Sequence, residues 1–115
     1  MTLDLLPGTL ELLILRGLRW EPTHGAGLGE WIRLVTDHAF AIEEGTLYPA
    51  LRRLERRGWI ESEWGRSEHG RKARFWYLTA AGRQALPELI QHWYAYVAAV
   101  ERGVEYGVTR GVRGR

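Results

Sequence analysis

The sequence predicts a mainly α-helical chain with one small β-hairpin and a long helix towards its C-terminal end. Three observations carry this expectation. Residues 43–60 read as a single amphipathic helix closed by Gly58, residues 59–78 read as two strands around a basic, glycine-containing loop, and residues 80–103 repeat apolar positions at helical spacing.

In chain order, the first helix starts at Pro7, where a missing amide costs nothing, and runs to about Arg19. Leu10, Leu13, Ile14 and Leu18 form one stripe, yet Leu12 and Leu15 on other faces are also apolar. Such a helix needs cover on more than one side. Leu5, Leu12 and Leu15 are therefore expected to dock against a second subunit, with the chain's own last helix as the alternative cover. Residues 21–25 (EPTHG) form a turn. A second helix spans about 26–37 with Leu28, Trp31, Ile32 and Val35 facing inwards, and residues 38–42 link it to the third. Ile42 stands where a hydrophobic staple onto Leu47 would set the direction of that third helix.

The third helix has two unlike faces. At about 100° per residue, Leu47, Ala50, Leu51 and Leu54 fall together, while Gly45, Pro49, Arg52, Arg53 and Arg56 fall opposite and Thr46 and Tyr48 flank them. Pro49 removes a backbone donor, which leaves the helix start between 44 and 47. Taken alone, an arginine-bearing face reads as a solvated surface slightly more readily than as a DNA-contacting one. The next twenty residues change the balance. Residues 59–64 (WIESEW) and 73–78 (ARFWYL) are strands, and the loop 65–72 (GRSEHGRK) holds Gly65 and Gly70 for turn geometry, together with Arg66, His69, Arg71 and Lys72, with Arg74 just beyond. Helix, hairpin and basic tip together describe a winged helix-turn-helix. Between Leu51 and Arg74 eight Lys or Arg face four Glu, whereas the rest of the chain carries eight against ten. A net charge of only +2 is thus concentrated on one helix and one loop, the distribution of a nucleic-acid footprint. The DNA-contact candidates are Thr46, Tyr48, Pro49, Arg52, Arg53, Arg56, His69, Arg71, Lys72 and Arg74. For His69 a solvated loop position is an equal reading.

Thr79 is a suitable N-cap for the final helix, 80–103, which Pro87 is placed to kink. Leu86, Ile90, Trp93, Val97, Val100 and Val104 recur at alternating spacings of four and three, the seam of a coiled-coil-like contact. A domain of this size has little surface left to receive such a strip, so the expected partner is a second copy of the chain. Trp93, with Tyr96, either frames a flat pocket for an aromatic effector at that seam or fills it. The domain reading is 1–78 for a winged helix-turn-helix unit, 79–104 for a dimerisation helix and 105–115 for a mobile tail with three arginines and three glycines.

The runs PGTLELLIL, HGAGLGEWI, GTLYPALRRLERRGWIESEW and HGRKARFWYLTAAG resemble the PadR family of bacterial transcriptional regulators over roughly residues 5–100. This resemblance implies a winged helix-turn-helix with a dimerisation helix, a palindromic double-stranded DNA operator and, usually, repression. It also implies that some drug-responsive relatives take flat aromatic ligands at the dimer seam. Ala26 stands where an aromatic usually sits in the HGYG-type segment, and Glu43 where a small capping residue is usual.

Composition narrows the remaining classes. The 115 residues suit a single domain, and the absence of cysteine removes disulfides, thiolate metal sites and cysteine nucleophiles. The start MTLDLLPG lacks a signal-peptide pattern and no run approaches a membrane span, so a soluble, cytoplasmic protein is expected. His24, His38, His69 and His92 show no metal-ligand spacing, Glu43 and Glu44 are adjacent and point different ways, and no phosphate loop comes after a strand. Neither an enzyme nor a cofactor is expected. A winged helix turned protein-interaction module is the alternative, and it has no need for Arg52, Arg53, Arg71, Lys72 and Arg74 on one side.

Overall fold

The computed structural model describes residues 2–107. The elements run α1 (Thr9–Gly17), β1 (Thr23–His24), α2 (Gly25–Val35), α3 (Glu44–Arg56), β2 (Ile60–Arg66), β3 (Lys72–Leu78) and α4 (Ala80–Glu105). The three strands form one antiparallel sheet in the order β1-β3-β2. With α1, α2 and α3 packed on one another and the β2–β3 hairpin beside them, this is a winged helix-turn-helix with a long C-terminal helix. The part of the expected mobile tail beyond Gly107 lies outside the described residues. Glu105, which that expectation included, still belongs to α4.

α1 is shorter than its apolar pattern, because Gly8 takes a left-handed φ of 84° and Pro7 falls in the turn before it. α3 starts at Glu44 without a side-chain cap; the amides of Thr46 and Leu47 donate instead to the Glu43 carbonyl. Pro49 lies inside α3, where it forgoes the bond an amide would make to the Gly45 carbonyl, and the helix continues through it. The C-terminal end of α3 is closed by Gly58 at φ 79°, with the Gly58 amide donating to Glu55 and the Trp59 amide to Leu54. A side chain with a Cβ would resist that left-handed turn, which swings the chain directly into β2.

The 21–25 segment, expected as a turn, contributes a two-residue strand: Thr23 pairs with Trp76 and His24 with Phe75. Two residues carry no alternation to read, and it is the free edge of β3 that recruits them.

One core joins all the helices to the sheet: Leu10, Ile14, Leu15 and Leu18 from α1 and its end, Leu28 and Ile32, Leu47, Ala50, Leu51 and Leu54, Ile60, Trp76 and Leu78, and Leu86 from α4. Two expected interface positions are therefore corrected. Leu15 is fully buried and Leu86 is 2% exposed, both inside the chain's own core, because the first turns of α4 pack against α1 and provide its second cover. Leu5 and Leu12 are half-buried against the same core. Each fully buried aliphatic side chain of the core, such as Ile14, Leu28 or Leu54, stabilises the fold by about 1.5–3 kcal/mol relative to leaving it exposed.

α4 begins on a working cap. Thr79 Oγ1 accepts from the Gly82 amide at 3.1 Å and donates to the Gly58 carbonyl at 2.6 Å, while the Thr79 amide donates to the Trp59 carbonyl at 3.0 Å. The helix then continues through Pro87 for 26 residues, about 39 Å at 1.5 Å per residue. Cover fades along it: Leu86 is buried, Ile90, Trp93 and Val97 are half-buried, and Val100 and Val104 are 46% and 73% exposed. The radius of gyration, 17.4 Å, exceeds the roughly 13 Å of a compact chain of this length because α4 projects from the body.

Candidate nucleic-acid interface

The exposed side of α3 faces a trough whose other wall is the hairpin. Strand register explains that wall. Ile60 pairs with Leu78, Ser62 with Trp76, Trp64 with Arg74 and Arg66 with Lys72, so these side chains share one sheet face. Near the body this face is core. Beyond α3 it emerges into solvent as Trp64, Arg66, Lys72 and Arg74. The opposite face carries Glu61, Glu63, Phe75 and Tyr77. The Tyr77 hydroxyl donates to Glu61 at 3.1 Å, and that bond to a carboxylate is the main cause pushing its pKa above the usual phenol value. The paired strands thus segregate their charges, basic towards α3 and acidic away from it.

The trough between them is a cavity of about 340 Å³ lined by His24, Gly25, Ala26, Tyr48, Arg52, Trp64, Lys72, Ala73, Arg74 and Trp76. It contains Tyr48 and Arg52 from α3, Lys72 and Arg74 from the hairpin and the first residues of α2, three elements separated in sequence. Tyr48 leans across the start of α2, where a Cβ on Gly25 would lie 2.8 Å from its hydroxyl oxygen. Trp76 is buried and its Nε1 has no hydrogen-bond partner among the described residues. Trp64, not among the residues expected from sequence, stands in the trough 61% exposed. The alternation of WIESEW places it on the same face as Ile60, and that was the available signal.

The remaining candidates separate into groups. Thr46, Pro49, Arg52 and Arg56 are exposed on α3. Arg53 departs from the expected arrangement: its Nε donates to Glu11 Oε2 at 2.7 Å, which ties it to α1 on the flank of α3 away from the hairpin. Helical rotation puts it there, 100° past Arg52. His69 and Arg71 are exposed in the hairpin loop, whose shape is held by the Ser67 amide donating to Arg71, the Gly70 amide donating to Ser67 and Arg66 Nη1 donating to the Gly70 carbonyl at 3.0 Å.

Away from this face, an apolar groove of about 460 Å³ runs between α1 and α4, lined among others by Leu6, Leu12, Leu15, Trp59, Leu89, Trp93 and Tyr96. The rings of Trp93 and Tyr96 are stacked, 6.3 Å between centroids. Among the described residues no cluster of His, Asp or Glu could hold a metal ion, and no helix is long and apolar enough to cross a membrane.

Comparison with known proteins places this geometry. Residues 14–88 match the model of the transcriptional regulator PadR-like family. A transcriptional regulator of Mycobacterium tuberculosis is 39% identical over 79 residues, 69% of this chain and 70% of that protein. Among solved structures, a PadR family transcriptional regulator from Eggerthella lenta is similar with a TM-score of 0.70 and 35% identity, covering 85% of this chain and 83% of that one. A transcriptional regulator from Clostridium thermocellum is similar with a TM-score of 0.73 and 27% identity, covering 83% and 89%. With its hairpin, long α4 and more than half its length matched, the chain belongs to the PadR-like family of transcriptional regulators, a family of DNA-binding regulators rather than enzymes.

Proposed function

We propose that the protein is a homodimeric repressor that binds a palindromic operator in the cytoplasm, with α3 in the major groove and the hairpin along the flanking backbone. The observation that carries this reading is the trough: Arg52, Lys72 and Arg74 converge from two elements on one side, and the β2 carboxylates Glu61 and Glu63 lie on the other sheet face. In this reading Thr46, Tyr48, Pro49 and Arg52 approach base edges. Arg56, His69, Arg71, Lys72 and Arg74 meet phosphates, which position the protein without reading sequence. Arg53, held by Glu11, contributes at the edge.

The second copy binds through the part of α4 left uncovered, Ile90, Trp93, Val97, Val100 and Val104, with Leu5 and Leu12 at its margin. Residues 2–78 then form the DNA-binding unit and 79–104 the dimerisation helix. Two copies of α3 read successive major grooves only when held about 34 Å apart, and α4 is the element long enough to set that separation. The groove beside Trp93 and Tyr96 supports a flat aromatic effector as a further partner, since stacked rings lining an apolar cleft suit such a ligand.

The deciding experiment is a footprint and titration on DNA immediately upstream of the protein's own gene, with sedimentation of the free protein alongside. A protected palindrome and a dimer are expected. A monomer without DNA affinity would leave the interaction-module alternative in place.

A further inference from the structure

Lys72 Nζ lies 4.8 Å from the ring centroid of Trp64, and Arg74 Cζ lies 5.5 Å from the rings of both Trp64 and Trp76. One exposed indole therefore holds two cations of the hairpin, and the buried Trp76 flanks the second. Trp64 takes no part in the core. So large an apolar surface, 61% exposed, calls for an explanation beyond packing.

We propose that Trp64 is a positioning residue of the wing: its indole presets Lys72 and Arg74 as a pair facing the trough, so that both meet the DNA backbone already oriented. This role rests on the reading that the wing contacts DNA. The physical case turns on what an aromatic ring does that a carboxylate does not. A Glu beside Lys72 or Arg74 would orient it but cancel its charge before a phosphate arrived. The ring attracts a cation through its quadrupole and leaves the full charge to the next anion. The ion pairs among the described residues, Arg33–Glu30 and Arg53–Glu11, involve neither cation, and the nearby Glu61 and Glu63 lie on the opposite sheet face. Long cationic side chains lose much rotamer freedom when fixed on a phosphate, so prior stacking lowers the ordering cost of binding.

The test compares the full chain with Trp64→Leu, which keeps an apolar side chain without a π face, and Trp64→Phe, which keeps one. In the free protein, side-chain proton NMR should show the Lys72 and Arg74 methylenes shifted upfield by the ring current. That shift should persist in Trp64→Phe and vanish in Trp64→Leu while the backbone spectrum stays native. On DNA, Trp64→Leu should lower affinity for operator and unrelated duplex alike by about 2- to 10-fold for each side chain that must now be ordered on binding, while the salt slope stays close to that of the unaltered protein because both cations remain, and Trp64→Phe should stay close to the unaltered protein. Random-coil shifts for both cations in the unaltered protein would overturn the proposal, as would unchanged affinity in Trp64→Leu while the unaltered protein binds DNA. If the unaltered protein binds no DNA, the parent reading fails as well, and that outcome is distinct from unchanged affinity in Trp64→Leu.

Discussion

Gly82 lies in the first turn of α4 directly against the backbone of Trp59, so that a Cβ at position 82 would overlap the Trp59 carbonyl oxygen. That same oxygen accepts the Thr79 amide, and Thr79 Oγ1 bridges the Gly58 carbonyl to the Gly82 amide. The end of α3 and the start of α4 are thereby fastened together. The direction of α4 relative to the exposed face of α3 depends on this junction.

Gly82→Ala is accordingly expected to destabilise the fold by about 1–3 kcal/mol, the usual cost of forcing extra volume against backbone. Gly103→Ala is the matched control: among the described residues no atom beyond its chain neighbours and the helix's own backbone lies within 4 Å of its Cβ position, and replacing a helical glycine there should stabilise by about 0.5–1 kcal/mol. Urea denaturation of both variants measures the contrast, and equal behaviour would mean that the junction yields.

On α3, Arg52→Ala should cost about 1–3 kcal/mol on the operator and relax specificity at one base pair of each half-site. Arg56→Ala, one turn further along, should weaken binding without relaxing it. Titrations against single-base operator variants separate the two, and equal relaxation would show that α3 lies along the groove instead of entering by its first turns.

The two faces of the hairpin should differ on DNA. Lys72→Ala and Arg74→Ala should weaken binding to all duplexes and reduce the salt slope by about one unit each. Glu63→Ala on the outer face should leave the slope unchanged. A loss confined to the operator in the Lys72 or Arg74 variants would mean that the hairpin reads bases.

Apolar positions along α4 should divide by where they are covered. Leu86→Ala should cost about 2–5 kcal/mol of folding stability, because it opens a cavity in the chain's own core. Val104→Asp should leave the fold of each subunit intact and shift the dimer to monomer, with operator binding lost although every DNA-facing residue is present. Val97→Asp, half-buried nearer the body, should do the same with some loss of stability. Sedimentation with thermal unfolding reads both effects, and a Val104→Asp protein that stays dimeric would place the second copy elsewhere.

Freeing Arg53 offers a further check on its assignment to the edge of the interface. Glu11→Ala breaks an ion pair that is exposed on its Arg53 side and partly buried on its Glu11 side, and should change stability by about 1 kcal/mol. It should also raise affinity for non-operator duplex, because a guanidinium released from its carboxylate is available to phosphate. Stability and affinity are measured on the same preparation, and unchanged affinity would remove Arg53 from the DNA-facing set.

Properties encoded within a single element were legible in the sequence. The alternation of Leu47, Ala50, Leu51 and Leu54 with arginines set the two faces of α3, Gly58 marked its end, Thr79 capped α4, and the hairpin came from two alternating runs around a glycine-containing loop. Each depends on contacts within a few residues, where dihedral preference and periodicity act directly. The resemblance to PadR regulators rested on these same runs.

What only the tertiary structure decided was which neighbour each surface meets. Leu15 and Leu86 read as apolar from sequence, but the packing of α4 on α1 turned them inwards to the chain's own core instead of outwards to a second copy. Periodicity states that a face is apolar without stating what covers it. The pairing of β1 with β3, the tie between Arg53 and Glu11, and the bracketing of Arg74 by Trp64 and Trp76 join residues through the fold or through strand register. So does the contact of Gly82 with Trp59, which depends on how closely two backbones approach, a distance that no local pattern of side chains records.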